Sequence, residues 1–240
     1  MPGHGVLGHM AFEGIAWLAA VVAGWRVRRV WLDGVVLPLP ARSYPVYMAI
    51  VWVGAIAGAI VLGTINLALA GIESGGRSIL GALLGGVVTA EAYKRLRGVR
   101  GSTGVVFVVP LALGIAIGRI GCFAGGLEDF TYGTPTTLPW GVDFGDGVAR
   151  HPVQLYESAA MLGFLALFAP QLRRRQEVVL RCGFYLFTGW YAAQRFVWEF
   201  LKPYPDVLGQ LNLCQLGCLA LFVYSLTMIL VTRVPAHARA

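Results

Sequence analysis

Charge is scarce in this sequence. Aspartate, glutamate, lysine and arginine make up 13% of its 240 residues, against roughly 25% in an ordinary soluble domain. A chain so poor in charge cannot solvate the whole surface of a soluble globule. Cysteine is scarce too, limited to Cys122, Cys182, Cys214 and Cys218. These form no CxxC pair and no His/Cys grouping at zinc spacing, which excludes a zinc module. Cys214 and Cys218 share a helix face and read as small packing residues. The N-terminus "MPGHGVLGHMAFEG" has no basic n-region, so no cleavable signal peptide is expected. No G-x-S-x-G elbow accompanies a suitable histidine, which ranks an intramembrane protease low.

What the chain does have is long apolar runs, with hydrophobic residues at 57%. A spanning helix needs about 20 mostly apolar residues. Seven segments qualify as candidates: 8–25, 46–71, 78–93, 104–121, 153–170, 181–200 and 212–232. The third is short or begins as a re-entrant segment. In lipid the backbone must satisfy itself, so each is expected to be helical. The expected fold is an all-α integral membrane protein of about seven transmembrane helices. It forms one polytopic domain over residues 1–240, with an outer-side loop at about 122–152 between the fourth and fifth helices. Gly54, Gly58, Gly81 and Gly85 recur at four-residue spacing, a pattern that lets helices approach closely.

The net charge of +7 could suggest nucleic acid, but the placement of the charges argues otherwise. With the N-terminus outside, the inner ends of the segments hold Arg26, Arg28, Arg29, Arg42, Lys94, Arg95, Arg97, Arg100, Arg173, Arg174, Arg175, Arg181, Arg233 and Arg239. That is the positive-inside pattern, and it serves topology and anionic inner-leaflet lipid rather than nucleic acid. Arg77, Arg119, Arg150, Arg195 and Lys202 break the pattern by falling on or near the outer side. Most acids lie there as well, among them Glu128, Asp129, Glu157 and Glu199.

Those exceptions sit in recognisable constellations. In "GRIGCFAGGLEDFTYGTPTTLPWGVDFG" an apolar run ends on Arg119 between Gly118 and Gly121. A guanidinium at the edge of hydrocarbon needs an anion, and its planar fork suits a phosphate or a carboxylate. Either a ligand supplies that anion or Glu128, Asp129 or Glu157 does. Gly118 and Gly121 leave room for backbone or ligand beside the fork, and Cys122 follows directly. "RHPVQLYES" places His151, Gln154, Tyr156 and Glu157 at the mouth of the fifth segment, with Gln154 and Glu157 on one helix face. They either form a binding surface or lock that helix into the bundle. In "YAAQRFVWEFLKPYPD" the residues Tyr191, Arg195 and Glu199 recur every four positions as one stripe, with Lys202 just beyond. Arg195 pairs with Glu199 within the helix or meets a ligand. Two arginines from different helices suit an anion larger than one carboxylate, such as a phospholipid headgroup. "ESGGRSILGALLGG" reads as a loop carrying Arg77 and Ser78 into a helix whose terminal amides suit an anion. Glu13 lies inside the first segment, four residues after His9, as a functional acid or a partner for a buried arginine.

Together, "GRIGCF" with "YGTPTTLPWGV", then "RHPVQLYE", then "RFVWEFLKPYPD", resemble the prolipoprotein diacylglyceryl transferase family. The resemblance extends more weakly to "GGRSILGALLGG" and covers about residues 75–216 in matching order. It implies a multi-pass transferase of the bacterial inner membrane, with a periplasmic N-terminus and a cytoplasmic C-terminus. Such an enzyme moves diacylglyceryl from phosphatidylglycerol to the lipobox cysteine of a prolipoprotein, whose signal peptide is then a partner. It needs no metal or cofactor. Arg119 and Arg195 match the family's two essential arginines, Tyr191 a tyrosine of its active region, and Glu199 a carboxylate that holds the second arginine. The resemblance breaks where the family's Ser-x-His-Gly-Gly run is "SILGA", with Leu80 and Ala82. It breaks again where the asparagine after "GRIG" is Cys122, and where "HMAFEGIAW" replaces a first-span tyrosine. Either His151 or Glu13 then takes the missing histidine's role, or the acceptor is not a prolipoprotein. The rival readings are a paralogue using the same anionic phospholipid with another acceptor, and a non-catalytic phospholipid-binding or transport protein.

Overall fold

The computed structural model describes residues 4–35 and 38–233. Arg239 and the side chains of His9 and Arg233 lie outside the described residues. The seven apolar segments are each helical: α1 (His4–Arg26), α2 (Tyr44–Leu69), α3 (Ile79–Leu96), α4 (Val105–Gly125), α5 (Val153–Arg173), α6 (Glu177–Glu199) and α7 (Leu213–Arg233). A π-helical turn, Val27–Trp31, continues α1. Two 3-10 turns (Ala41–Ser43 and Gly126–Asp129) and four short strands complete the described elements: β1 (Val142–Asp143) pairs with β2 (Ala149–Arg150), and β3 (Asp206–Leu208) with β4 (Leu211–Asn212), both antiparallel.

Five stretches are long and apolar enough to cross a membrane among the described residues: Met10–Trp31, Ala41–Leu69, Val105–Asp129, Val153–Arg173 and Leu213–Thr232. The helices α3 and α6 fall short because their sequences carry charge. Glu91, Lys94 and Arg95 interrupt the first; Glu177, Arg181, Arg195 and Glu199 interrupt the second. The third helix nonetheless runs 18 residues, or about 27 Å at 1.5 Å per residue.

The chain divides into two compact units. The first comprises residues 1–33, 106–179 and 194–203. In it the Ser158 hydroxyl on α5 donates to the Ala116 carbonyl of α4 at 2.8 Å, which fixes the rotation of α5. At the far end of α5, Arg175 Nε donates to the Trp31 carbonyl at 2.9 Å, and Arg173 lies over the Trp31 ring. Backbone hydrogen bonds pin the long connection between α4 and α5. Thr134 N–H donates to the Leu201 carbonyl at 2.7 Å, and His151 N–H to the Thr134 carbonyl at 3.1 Å. At the β1–β2 turn Asp143 Oδ1 accepts the amides of Gly145, Asp146 and Gly147 at 2.8–3.1 Å. The glycines supply the positive φ values, 103° and 79°, that such a turn demands.

The second unit comprises residues 34–105, 180–193 and 204–240. Here α2 and α3 pack backbone to backbone through Gly54, Gly58, Gly81 and Gly85. A Cβ on Gly58 would collide with the Gly81 carbonyl, and one on Gly85 with the Gly54 carbonyl. The expected close approach of small residues is thus what joins this helix pair. Ser78 caps α3, its Oγ accepting the Gly81 amide at 3.2 Å. Leu80 is 1% exposed and packs toward Gly217 of α7. Interhelical hydrogen bonds add to this: Thr188 with Ser225 at 2.8 Å, Tyr224 donating to Glu91 at 2.8 Å, and Cys214 Sγ donating to Asn66 at 3.4 Å. Cys182, Cys214 and Cys218 are all buried, and the described cysteines form no disulfide.

Candidate functional site

The end of α4, the first turns of α5 and the last turn of α6 converge within the first unit. Glu157 is the hub. It follows from the register of α5, which starts immediately after Pro152, whose ring suits a helix's first turn. That register turns Glu157 and Ser158 toward α4. Glu157 Oε2 meets Arg119 Nε, while its Oε1 meets Arg195 Nη1 at 2.5 Å and Lys202 Nζ at 2.7 Å. Arg195 also turns Nη2 to Glu199 Oε1, one helical turn on, at 2.5 Å. Lys202 lies 3.8 Å from the same carboxylate oxygen.

All five side chains are buried, Glu157 and Glu199 at 1% exposure and the three cations at 4–6%. Burying charge is tolerated only when it is paired and hydrogen-bonded. Three cations and two carboxylates leave these five side chains with a formal charge of +1. Burial, and the neighbouring Arg195 guanidinium after it, push the Lys202 ammonium below the ordinary lysine value; Glu157 and Glu199 oppose the shift. The outlying pair of the loop is different in kind. Arg150 Nη1 donates to Asp146 Oδ1 at 2.7 Å in an exposed setting, and that bond holds the Asp146 carboxyl below its usual value.

An anion facing Arg119 in this ion cluster is therefore Glu157. The Arg195–Glu199 pair within α6 forms as well, but Arg195 also reaches across to α5. Arg119, Arg195, Glu157 and Glu199 come together as one group. Cys122, one turn past Arg119, has its sulfur 3.9 Å from Arg119 Nη1. Gly121 is buried, while a Cβ on Gly118 would meet open space. Gln154, fully buried, precedes Glu157 by one turn. His151 approaches Tyr156 rather than the ions, its Nδ1 3.5 Å from the phenol oxygen. That same oxygen accepts from Trp140 Nε1 at 2.7 Å. Glu13 is half-buried on α1. Two candidates belong to the second unit. Tyr191 is buried one turn before Arg195 on α6, and Arg77 is exposed in the loop before α3. Lys202 is the participant that motif reading left outside the site. Its spacing of three from Glu199 and seven from Arg195 was the available signal.

Two guanidinium forks and an ammonium thus converge on one buried carboxylate among apolar helices, where charge persists only when paired. The sequence profile of the prolipoprotein diacylglyceryl transferase family matches residues 9–231. Three proteins named phosphatidylglycerol–prolipoprotein diacylglyceryl transferase align with the chain. That of Geobacter sulfurreducens is 35% identical over 179 residues, covering 70% of this chain and 66% of the relative. That of Nitratidesulfovibrio vulgaris (Miyazaki F) is 39% identical over 181 residues, covering 70% and 65%. That of Methylococcus capsulatus is 33% identical over 168 residues, covering 66% and 62%. The chain thus spans slightly less than two thirds of the length of these relatives. It belongs to the prolipoprotein diacylglyceryl transferase family, and it is a multi-pass bacterial membrane protein.

Proposed function

We propose that this chain transfers the diacylglyceryl group of phosphatidylglycerol to the lipobox cysteine of a prolipoprotein. The observation that carries the reading is the buried pair of guanidinium forks, Arg119 and Arg195, joined through one carboxylate with Lys202 beside them. In the reaction the acceptor thiolate attacks the glycerol carbon that bears the phosphate ester. A carbon–sulfur bond forms, the carbon–oxygen bond breaks, and its electron pair leaves on the phosphate oxygen as glycerol phosphate. Charge on that oxygen grows as the bond breaks. Donors already fixed in a low-dielectric site stabilise it most in the transition state. Glu157 holds the forks in place before the lipid arrives, then shares them with the phosphate while Lys202 retains it. Glu199 completes the substrate-binding set within the same unit.

The thiol proton goes to His151, which stands at the head of α5, in the same unit as the forks. Glu13, on α1, is the second group able to accept it. His151→Ala should then lower turnover at neutral pH and lose less at alkaline pH, where the thiol ionises unaided.

The membrane plan belongs to the same reading. All seven helices span as a single polytopic domain of the inner membrane. The N-terminus and the loop at 122–152 are periplasmic and the C-terminus cytoplasmic, as the distribution of arginines and lysines favours. Labelling of single cysteines placed at the loop tips from either side tests it.

Leu80 favours a second reading, in which the same lipid donates to another acceptor. It is packed in a helix interface at 1% exposure, and a leucine can neither take a proton nor bind phosphate. One assay separates the possibilities. Purified protein is supplied with phosphatidylglycerol and a lipobox peptide, and glycerol phosphate is measured. Release that needs the peptide supports the first reading. Release only with other acceptors supports the second. Lipid that binds without ever being cleaved would mark a non-catalytic lipid-binding protein.

A further inference from the structure

Among the described residues of the first unit, Gln154 is the one side chain fully buried at 0% exposure with neither amide atom hydrogen-bonded. Its Oε1 and Nε2 both lack a partner, one turn before the hub carboxylate Glu157 and on the same face of α5. A second buried donor without a hydrogen bond, Trp198 Nε1, sits on α6 between Arg195 and Glu199. The Trp198 ring packs on Tyr156 of α5 at 5.3 Å, so two of the three helices that carry the ion cluster also carry these groups. Buried amides are nearly always satisfied, because desolvating one without a partner is costly. An orphan amide beside a charged cluster therefore signals a group that something else satisfies.

The chemistry of that something follows from what the forks cannot do. Guanidinium groups read phosphate, and every phospholipid has one. Discrimination between headgroups must come from a neutral group reaching past the phosphate. A glycerol headgroup ends in hydroxyls, each both donor and acceptor, and a carboxamide offers the same pair in return. An ethanolamine headgroup brings an ammonium, which only donates and which a cluster of formal charge +1 repels. We propose that Gln154, with Trp198 Nε1 as a second donor, binds the headgroup hydroxyls and so selects a phosphatidylglycerol donor. This rests on the transfer reading above and names the residue that sets its lipid specificity.

The test compares three donors of identical acyl chains: phosphatidylglycerol, phosphatidylpropanol, which lacks the headgroup hydroxyls, and phosphatidylethanolamine. The full chain in detergent is assayed with a lipobox peptide, and lipid retention is measured separately by native mass spectrometry, which needs no acceptor. The wild type should prefer phosphatidylglycerol over phosphatidylpropanol by at least roughly tenfold, as sites built to bond a hydroxyl do. In Gln154→Leu that ratio should collapse toward one, through loss with phosphatidylglycerol and no change with phosphatidylpropanol. The lipid-free variant should melt no lower than the wild type, since an unpaired buried amide has been removed. Equal loss with both donors, an unchanged ratio, or loss of folded protein in both Gln154→Leu and Gln154→Met would overturn the inference. Each would mean the amide serves the fold or serves nothing. Arg119→Ala separates the two levels of the claim. If turnover survives it, the transfer reading fails, whereas the retention preference still reports on Gln154 alone.

Discussion

Replacing Glu157 with glutamine keeps its shape and removes one charge from the centre of three cations. The carboxylate directly contacts Arg119, Arg195 and Lys202. Glu199 contacts Arg195 closely and Lys202 only at 3.8 Å. Breaking a buried ionic group by removing one partner costs about 3–5 kcal/mol, because uncompensated charge is left behind. Glu157→Gln should fall in that range. Glu199→Gln, which loses the close charged hydrogen bond to Arg195, should cost about 1.5–3 kcal/mol. The sharper test is a cycle. Glu157→Gln raises the formal charge of the five-residue cluster from +1 to +2, and adding Lys202→Met returns it to +1. The double variant should therefore recover at least about 1 kcal/mol relative to additivity. Unfolding of the lipid-free protein in detergent, followed by tryptophan fluorescence, measures all four corners. If Glu157→Gln were no more damaging than Glu199→Gln, or if the double variant were simply additive, Glu157 would not be the hub described.

Three further outcomes follow from the same geometry. Arg119→Lys and Arg195→Lys keep charge but lose the planar fork, and each should lower the rate of glycerol phosphate release by roughly 10²–10³. Gly58→Val would drive a side chain into the Gly81 carbonyl; it should destabilise the α2–α3 pair by about 3 kcal/mol or more, visible as early loss of folded protein on heating. The Asp146 carboxyl, lowered by its bond to Arg150, contributes to folding above the ordinary aspartate value, and that contribution disappears as pH falls through its own lower value. In Arg150→Gln its titration, followed by NMR, should move back up toward the ordinary value.

The sequence by itself determined the helices. Apolar runs of spanning length leave the backbone no partner except itself, so segments read at 46–71, 104–121 and 212–232 emerge as Tyr44–Leu69, Val105–Gly125 and Leu213–Arg233. It also carried the Gly54, Gly58, Gly81 and Gly85 seam and the two arginines, since a small-residue stripe and a cation in an apolar run each stand out locally. That Arg119 meets Glu157 was decided only in three dimensions. Glu128 and Asp129 are nearer in sequence than Glu157, but the Ser158 bond to α4 sets the rotation that brings Glu157 across. Lys202 joined the cluster through Glu157 of α5, a partner that its spacing from Glu199 and Arg195 does not name. The orphan state of Gln154 is likewise a property of packing, because whether an amide finds a partner depends on neighbours that no local pattern names.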